Sequence, residues 1–167
     1  MEHISTEDYI KDHRNKVQQW VQRIMKILED RAKKHDLSKL NDELELWKKL
    51  DEYPRYKYGS SEYFEKLKRF KNVFYTHWAH NRHHYEYFRI KHHGNISKIY
   101  TDIDLVDLIE MMCDWLSYNE TITVTDAKKL VAEQMKRLGM PKEIAALILN
   151  TIINHFVTEK DNEEISE

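Results

Sequence analysis

Residues 77–88, HWAHNRHHYEYF, lie where an apolar helical pattern turns polar. Side chains at a spacing of three or four run through this stretch: Phe64, Leu67, Phe70, Phe74, His77, Asn81, His84 and Phe88. Residues at that spacing share one face of a helix. Ser60 or Ser61 can cap its start, so the pattern predicts one long helix whose apolar face continues as a histidine-rich face.

The rest of the chain predicts helices as well. Only 3 glycines and 2 prolines occur among 167 residues, of which 41% are hydrophobic and 34% charged. Apolar spacing predicts further helices at about 6–34, 40–50, 102–117, 126–138 and after Pro141. We therefore expect an all-α protein: a single compact domain of about six helices over residues 1–158, followed by a charged tail at 159–167.

Charge and composition exclude several classes of function. The formal net charge of −2 gives no global attraction to nucleic acid or to an anionic membrane. No apolar run is long enough to span a bilayer, and the N-terminus lacks a signal-peptide pattern, so we expect a cytoplasmic protein. Cys113 is the sole cysteine, which leaves His, Asp and Glu as the ligands for any metal.

The histidines of residues 77–88 are candidate metal ligands. His80 and His84 stand at i and i+4, where two imidazoles reach one ion over the same helical turn. His77, Asn81 and His83 lie beside them as supporting residues. The alternative is a polar, hydrogen-bonded helix edge with no metal.

A helix from about Asp102 supplies carboxylates on one side: Asp104, Asp107, Glu110 and Asp114. Asp104 and Asp107 fit a solvated face. Asp114 has Met111, Met112, Cys113 and Trp115 as neighbours, and a carboxylate in such surroundings needs a partner or a cation. Asp114 is therefore a candidate ligand, and Glu110 a supporting residue.

The order of these residues resembles that of the HD-domain superfamily of metal-dependent phosphohydrolases. His35 and Asp36 form the adjacent pair, and Asp114 comes late. His13 stands 22 residues before His35, on the apolar stripe of the first helix with Val17 and Trp20, and we expect this stripe to face the core. The resemblance implies an HD-like helical fold in which His13, His35, Asp36 and Asp114 hold one metal. It further implies a second metal on His80 and His84, bridged by Asp36. His3 is the alternative to His13.

The string HDLSK, residues 35–39, also looks like the His-Asp-x-x-Lys form of that superfamily, which implies that Lys39 faces the phosphate. Over most of the chain, HDLSK, HNRHH and EMMCDW resemble three strings shared by a family of small uncharacterised proteins from phages and bacteria. That second resemblance supports the site and leaves the reaction open.

Residues 64–93 are locally basic, which would draw a phosphate-bearing ligand. Within them, Arg82 and Arg89 are candidate phosphate contacts, and Tyr85 is placed to stack on a base. The alternative for each of these cations is a solvated helix face.

The sequence thus predicts a hydrolase of a nucleotide or other small phosphate ester. Asp36 and Lys39 would be catalytic, with one or two Mn, Fe, Ni, Co or Zn ions activating a water. Two alternatives stay open: a non-catalytic helical binding protein with a structural metal or none, and a di-iron protein of oxygen chemistry. A homo-oligomer is also left open.

Overall fold

The structure is a computed structural model that describes residues 5–57 and 59–157. Every regular element in these ranges is helical, which confirms the all-α prediction. The helices are α1 Thr6–Lys34, α2 Leu37–Leu40, α3 Leu44–Trp47, α4 Ser61–Arg69, α5 Lys71–His80, α6 Tyr85–Lys91, α7 Ile96–Tyr100, α8 Leu105–Leu116, α9 Val124–Leu138 and α10 Lys142–His155, with a 3₁₀ turn at Lys48–Leu50. They are more numerous and shorter than expected. None of them is long and apolar enough to cross a membrane. The predicted tail and His3 lie outside the described residues.

The hydrophobic core is built by the C-terminal half of the chain. Its buried members come from α6 to α10 and the connections between them, and Phe88, Ala127 and Ile152 are completely inaccessible to water. Helix α9 ends where the sequence predicts, at Gly139, whose positive φ of 63° suits a residue without a Cβ. Helices α9 and α10 then pack against each other as a hairpin.

Helix α1 forms as predicted but does not join this core. Ser5 caps it by accepting a hydrogen bond from the Asp8 amide at 3.1 Å. None of its 29 residues is buried. The expectation that its apolar stripe, with His13, faces the core is therefore wrong. Its described contacts with α8 include ion pairs from Arg31, close to its C-terminal end.

The long helix predicted through residues 61–88 is divided into α4, α5 and α6. The second break matters most for function, because it places residues 81–84 in a short loop. Asn81 there is extended, with φ −119° and ψ 113°. Its side-chain amide donates to the His77 carbonyl at 2.7 Å. It therefore replaces the backbone amide that would donate to this carbonyl if the helix continued. Such side-chain competition is why asparagine favours helix ends.

A buried ion-pair network joins α1, the 81–84 loop and α8. The Asp107 carboxylate has no exposed surface, lying 2.8 Å from Arg31 Nη1 and 2.6 Å from Arg82 Nη2. It also accepts the Asp104 amide in a capping box at the start of α8. The expectation that Asp107 is solvated is therefore wrong, although Asp104 is exposed as expected. A buried carboxylate with two guanidinium partners is compensated, and removing it would leave Arg31 with Glu110 and Arg82 with Asp102 as their remaining carboxylate partners.

We predict that Asp107→Asn lowers the free energy of unfolding by about 2–3 kcal/mol, since Arg31 and Arg82 lose their shared anion but keep some contact with water. Chemical denaturation measures this change. The matched control is Asp12→Asn on α1, whose pair with Lys16 is exposed to solvent and is therefore expected to contribute little to stability. Equal effects of the two substitutions would contradict a special role for Asp107.

Candidate metal centre

The His35–Asp36 pair lies at the sharp junction between α1 and α2. Helix α1 ends at Lys34, and Asp36 takes the left-handed conformation with φ 56° and ψ 8°. Among residues other than glycine, aspartate and asparagine tolerate this conformation best. The carbonyl of Asp36 then accepts the Lys39 amide at 3.0 Å as α2 begins. The junction thus fixes the direction of the Asp36 side chain.

Four side chains converge at this junction: Asp36, His77, His83 and His84. Their potential ligand atoms all lie within 4.8 Å of one another. His77 comes from the last turn of α5, while His83 and His84 come from the loop that follows. We call these four residues the primary cluster. The break of the predicted long helix creates it, since a continuous helix would point His83 away from His77.

The primary cluster contains the atoms that a cation would satisfy. Four buried side-chain atoms among the described residues have no hydrogen-bond partner, and all belong to it: Asp36 Oδ1 and the Nε2 atoms of His77, His83 and His84. Native proteins rarely leave such atoms unsatisfied. His77 Nε2 is 3.0 Å and His83 Nε2 3.3 Å from Asp36 Oδ1, but neither contact has the geometry of a hydrogen bond. The residues therefore fit a bound divalent ion.

Glu43 orients one of these imidazoles. Its Oε2 is 2.8 Å from His77 Nδ1 and also accepts the Trp47 indole N–H at 2.9 Å. A proton on Nδ1 that is donated to Glu43 leaves Nε2 as a lone pair facing the cluster, as in carboxylate–histidine–metal arrangements. Burial acts to raise the pKa of Glu43, but Trp47 and His77 together hold this pKa below its usual value.

A second group lies next to the first and shares His83 with it. His35, His83 and Glu110 also bring potential ligand atoms within 4.8 Å of one another. His35 Nδ1 is 3.0 Å from Glu110 Oε1, and His35 Nε2 is 3.4 Å from Asp114 Oδ1. We call these residues, with Asp114, the secondary cluster. Asp36 belongs to the primary cluster and also faces the secondary cluster, with its Oδ2 atom 3.8 Å from His35 Nε2.

The protonation states differ sharply between the two clusters. Burial, reinforced by the charges of His83 and His77, lowers the pKa of His84 to about 2, so its imidazole is neutral and able to ligate at pH 7. The carboxylates of Asp114 and Glu110 raise the pKa of His35 to about 9 against the effect of burial. His35 is thus protonated at pH 7 and must lose a proton to ligate. Burial opposes ionisation of Asp36, but His77, His83 and Lys39 hold its pKa far below the usual range.

The structure brings together most of the predicted site residues. The two clusters contain His35, Asp36, His84 and Asp114 from the predicted ligands, and His77, His83 and Glu110 from the predicted supporting residues. Asn81 lies against His77 at 3.0 Å. Lys39 is also present, with its Nζ 2.5 Å from Asp36 Oδ2. Glu43 is the residue that the sequence did not indicate, because no pattern distinguishes it from the neighbouring surface acids.

Five predicted residues lie elsewhere. His13 is exposed on α1, stacked near Tyr9. His80 is exposed, and its Nδ1 is 2.7 Å from the Thr76 carbonyl, so the i and i+4 pairing with His84 does not form. Arg82 pairs with Asp102 and Asp107.

The remaining two residues are Tyr85, which cannot stack on a base from where it lies, and Arg89, which lies on the surface. Tyr85 is only 2% exposed in the core, with its hydroxyl 3.2 Å from that of Tyr100. A ring buried to this extent has no free face for a base to stack on. Arg89 is exposed on α6 and is not part of either cluster.

An all-helical protein with two adjoining groups of histidine and carboxylate donors defines a class: helical proteins with a candidate metal centre. The chain belongs to a family of unknown function, DUF5662, whose model matches residues 2–159. No curated protein and no solved structure matches the chain. The prediction of an uncharacterised family is thus confirmed, and the HD-like relationship stays a prediction.

We predict that the protein purified with Mn, Co, Ni or Zn retains metal after dialysis, and that His77→Ala and His83→Ala lose most of it, because each removes an unpartnered Nε2 ligand. Plasma mass spectrometry measures the metal. His80→Ala and His13→Ala are matched controls, because the structure leaves both imidazoles outside the clusters. Metal loss in His80→Ala but not in His83→Ala would support the i and i+4 site instead.

We also predict that Glu43→Gln weakens metal binding by about 10–100-fold without abolishing it, as loss of an orienting carboxylate does in other metal sites. Competition with a chromophoric chelator measures the affinity. The control is Glu45→Gln, a neighbouring acid that pairs only with Lys48 on the surface. An unchanged affinity in Glu43→Gln would show that His77 needs no orienting partner.

Proposed function

We propose that the protein is a metal-dependent phosphohydrolase acting on a nucleotide or another small phosphate ester, with an HD-like fold. The observation that carries the proposal is the convergence of four unpartnered buried ligand atoms beside Lys39 and an open groove. Histidine and carboxylate donors together suit Mn, Fe, Co, Ni or Zn better than Ca or Mg. The arrangement therefore favours transition-metal chemistry.

The primary cluster would hold one ion through Asp36, His77, His83 and His84. The secondary cluster would hold another ion on one ring nitrogen of His35, which faces Glu110 through Nδ1 and Asp114 through Nε2, once His35 has lost its proton. A divalent ion at such a site supplies an activated water and charge neutralisation for a phosphoryl group. Asp36 would face both ions, because it belongs to the primary cluster and lies next to His35 of the secondary cluster. Its left-handed backbone conformation supports this position.

Lys39 connects the clusters to a possible substrate site. Its ammonium group is held between Asp36 Oδ2 and the face of Trp47, 4.6 Å from the ring centre. The same lysine lines an open groove with a volume of about 460 Å³. A phosphate entering from this groove meets Lys39 first and can exchange for its contact with Asp36. Lys39 therefore binds and orients the phosphate in this proposal.

The groove itself favours an anion. Lys48, Arg55 and Lys66 line it together with Lys39, against a single carboxylate at Asp51. A concentration of positive charge around a cleft raises the local concentration of anionic ligands. This groove takes the place of the Arg82, Tyr85 and Arg89 surface in the sequence-based hypothesis, whose first two members are engaged elsewhere.

We predict that the metal-loaded protein hydrolyses a phosphomonoester or a nucleotide, and that Asp36→Asn lowers kcat by at least about 100-fold. Asparagine tolerates the left-handed backbone, so the substitution removes the charge without breaking the junction. A panel of p-nitrophenyl phosphate and nucleoside mono-, di- and triphosphates, with released phosphate as the readout, measures turnover. Arg89→Ala is the control that should leave kcat unchanged.

Two outcomes would contradict the hydrolase proposal. Stoichiometric metal without turnover on the panel, combined with a lower melting temperature after chelation, would indicate a structural ion in a binding protein. Bound iron with redox-dependent absorbance and no phosphate release would indicate oxygen chemistry.

A further inference from the structure

Helix α1 carries an apolar face that the described chain leaves uncovered. None of its residues belongs to the hydrophobic core or packs against it. Eight apolar side chains on the helix are between 48% and 65% exposed: Tyr9, Ile10, Val17, Trp20, Val21, Ile24, Met25 and Ile27. Amphipathic helices in proteins owe most of their stability to packing of the apolar face, and large exposed apolar patches mark interaction surfaces. The face therefore calls for a partner.

The side chains of this face follow a seven-residue repeat that is symmetric about the middle of the helix. Ile10, Val17 and Ile24 repeat every seven residues, and so do His13, Trp20 and Ile27, three positions later. These are the a and d positions of a heptad repeat, the pattern of two helices that pack side by side. Reversing the helix about the point between Gln18 and Gln19 exchanges the two sets. We call this row of a and d side chains the seam. It can pack against the same row on a second α1 helix that runs in the opposite direction.

We propose that two copies of the chain associate through antiparallel packing of their α1 helices. In that register Ile10 packs against Ile27 of the second copy, and Val17 packs against Trp20 of the second copy. His13 meets Ile24 of the second copy and adds its ring to the seam. Every layer occurs twice, as a two-fold interface requires.

Helix dipoles and area both suit a second copy. The first turn of α1 is acidic, with Glu7 and Asp8, and the last turn is basic, with Lys33 and Lys34. Antiparallel packing opposes the two helix dipoles. In this register Glu7 and Asp8 lie level with Asp30 and Glu29 of the second copy and about one helical turn from its Lys33 and Lys34. Eight side chains about half exposed offer on the order of 800 Å² per copy, the area that each partner contributes to a standard stable interface.

Two other occupants fit less well. Residues 158–167, TEKDNEEISE, contain a single aliphatic side chain, Ile165, too little to cover eight apolar residues. A membrane surface favours an amphipathic helix with a lysine- and arginine-rich polar face. The polar face of α1 instead mixes both signs, with Asp12 and Glu29 paired to Lys16 and Lys33.

Light scattering after size exclusion tests the proposal on the full chain. The wild type at micromolar concentration is expected at twice the chain mass of 20.4 kDa. Ile24→Glu should raise the dimer dissociation constant by at least about 100-fold, because it buries a carboxylate in the seam. Gln22→Glu places the same charge on the opposite face and should leave the dimer intact. Retained circular dichroism and metal content in Ile24→Glu would show that the rest of the fold is unaffected.

Disulfide cross-linking then tests the orientation, in a Cys113→Ser background because Cys113 is exposed. The double variant Ile10→Cys with Ile27→Cys should form a cross-linked dimer on mild oxidation, and Ile10→Cys alone should not. Efficient cross-linking of Ile10→Cys alone would overturn the antiparallel arrangement in favour of a parallel one. A monomeric wild type would overturn the dimer, including a monomer that binds anionic lipid vesicles. Neither result depends on whether the protein is a hydrolase.

Discussion

The buried carboxylate of Asp107 is the contact on which the arrangement of the site depends. It pairs with Arg31, four residues before His35, and with Arg82, immediately before His83 and His84. Two chain segments far apart in sequence are thereby held against α8, which itself carries Glu110 and Asp114. A single charge in a low-dielectric environment with two cationic partners is costly to displace. It therefore holds the two clusters together without taking part in either.

The primary cluster places together polar atoms that have no hydrogen-bond partner. Glu43 lies 2.8 Å from the outer ring nitrogen of His77, and the inner atoms, Asp36 Oδ1 and the Nε2 atoms of the three histidines, face one another without a hydrogen-bond partner. Such an arrangement is unfavourable for an apoprotein and favourable once a cation occupies the centre. The free energy of cation binding at such a site would also stabilise the chain segments that carry the potential ligands.

The helical class and most residues of the two clusters can be predicted from the sequence. The predictions that differ from the structure do so for physical reasons. The HDLSK string places His35 and Asp36 side by side in the chain, and the apolar neighbours of Asp114 in EMMCDW distinguish its carboxylate, so these three candidate ligands could be predicted. The choice of His80 over His83 failed because helical spacing was continued through Asn81, whose side chain ends the helix. Asp107 and Arg82 looked like surface charges because tertiary pairing leaves no trace in local periodicity. The prediction that the apolar face of α1 contacts the core is wrong because helical periodicity indicates an apolar environment without indicating which surface supplies it.

The loop at residues 81–84 has a consequence for how the protein can vary. Three of the four potential ligands of the primary cluster lie within eight residues, on either side of a helix break at Asn81. One inserted or deleted residue would rotate His83 and His84 out of the cluster and separate Arg82 from Asp107. The connection between α5 and α6 is therefore a fixed length in this fold.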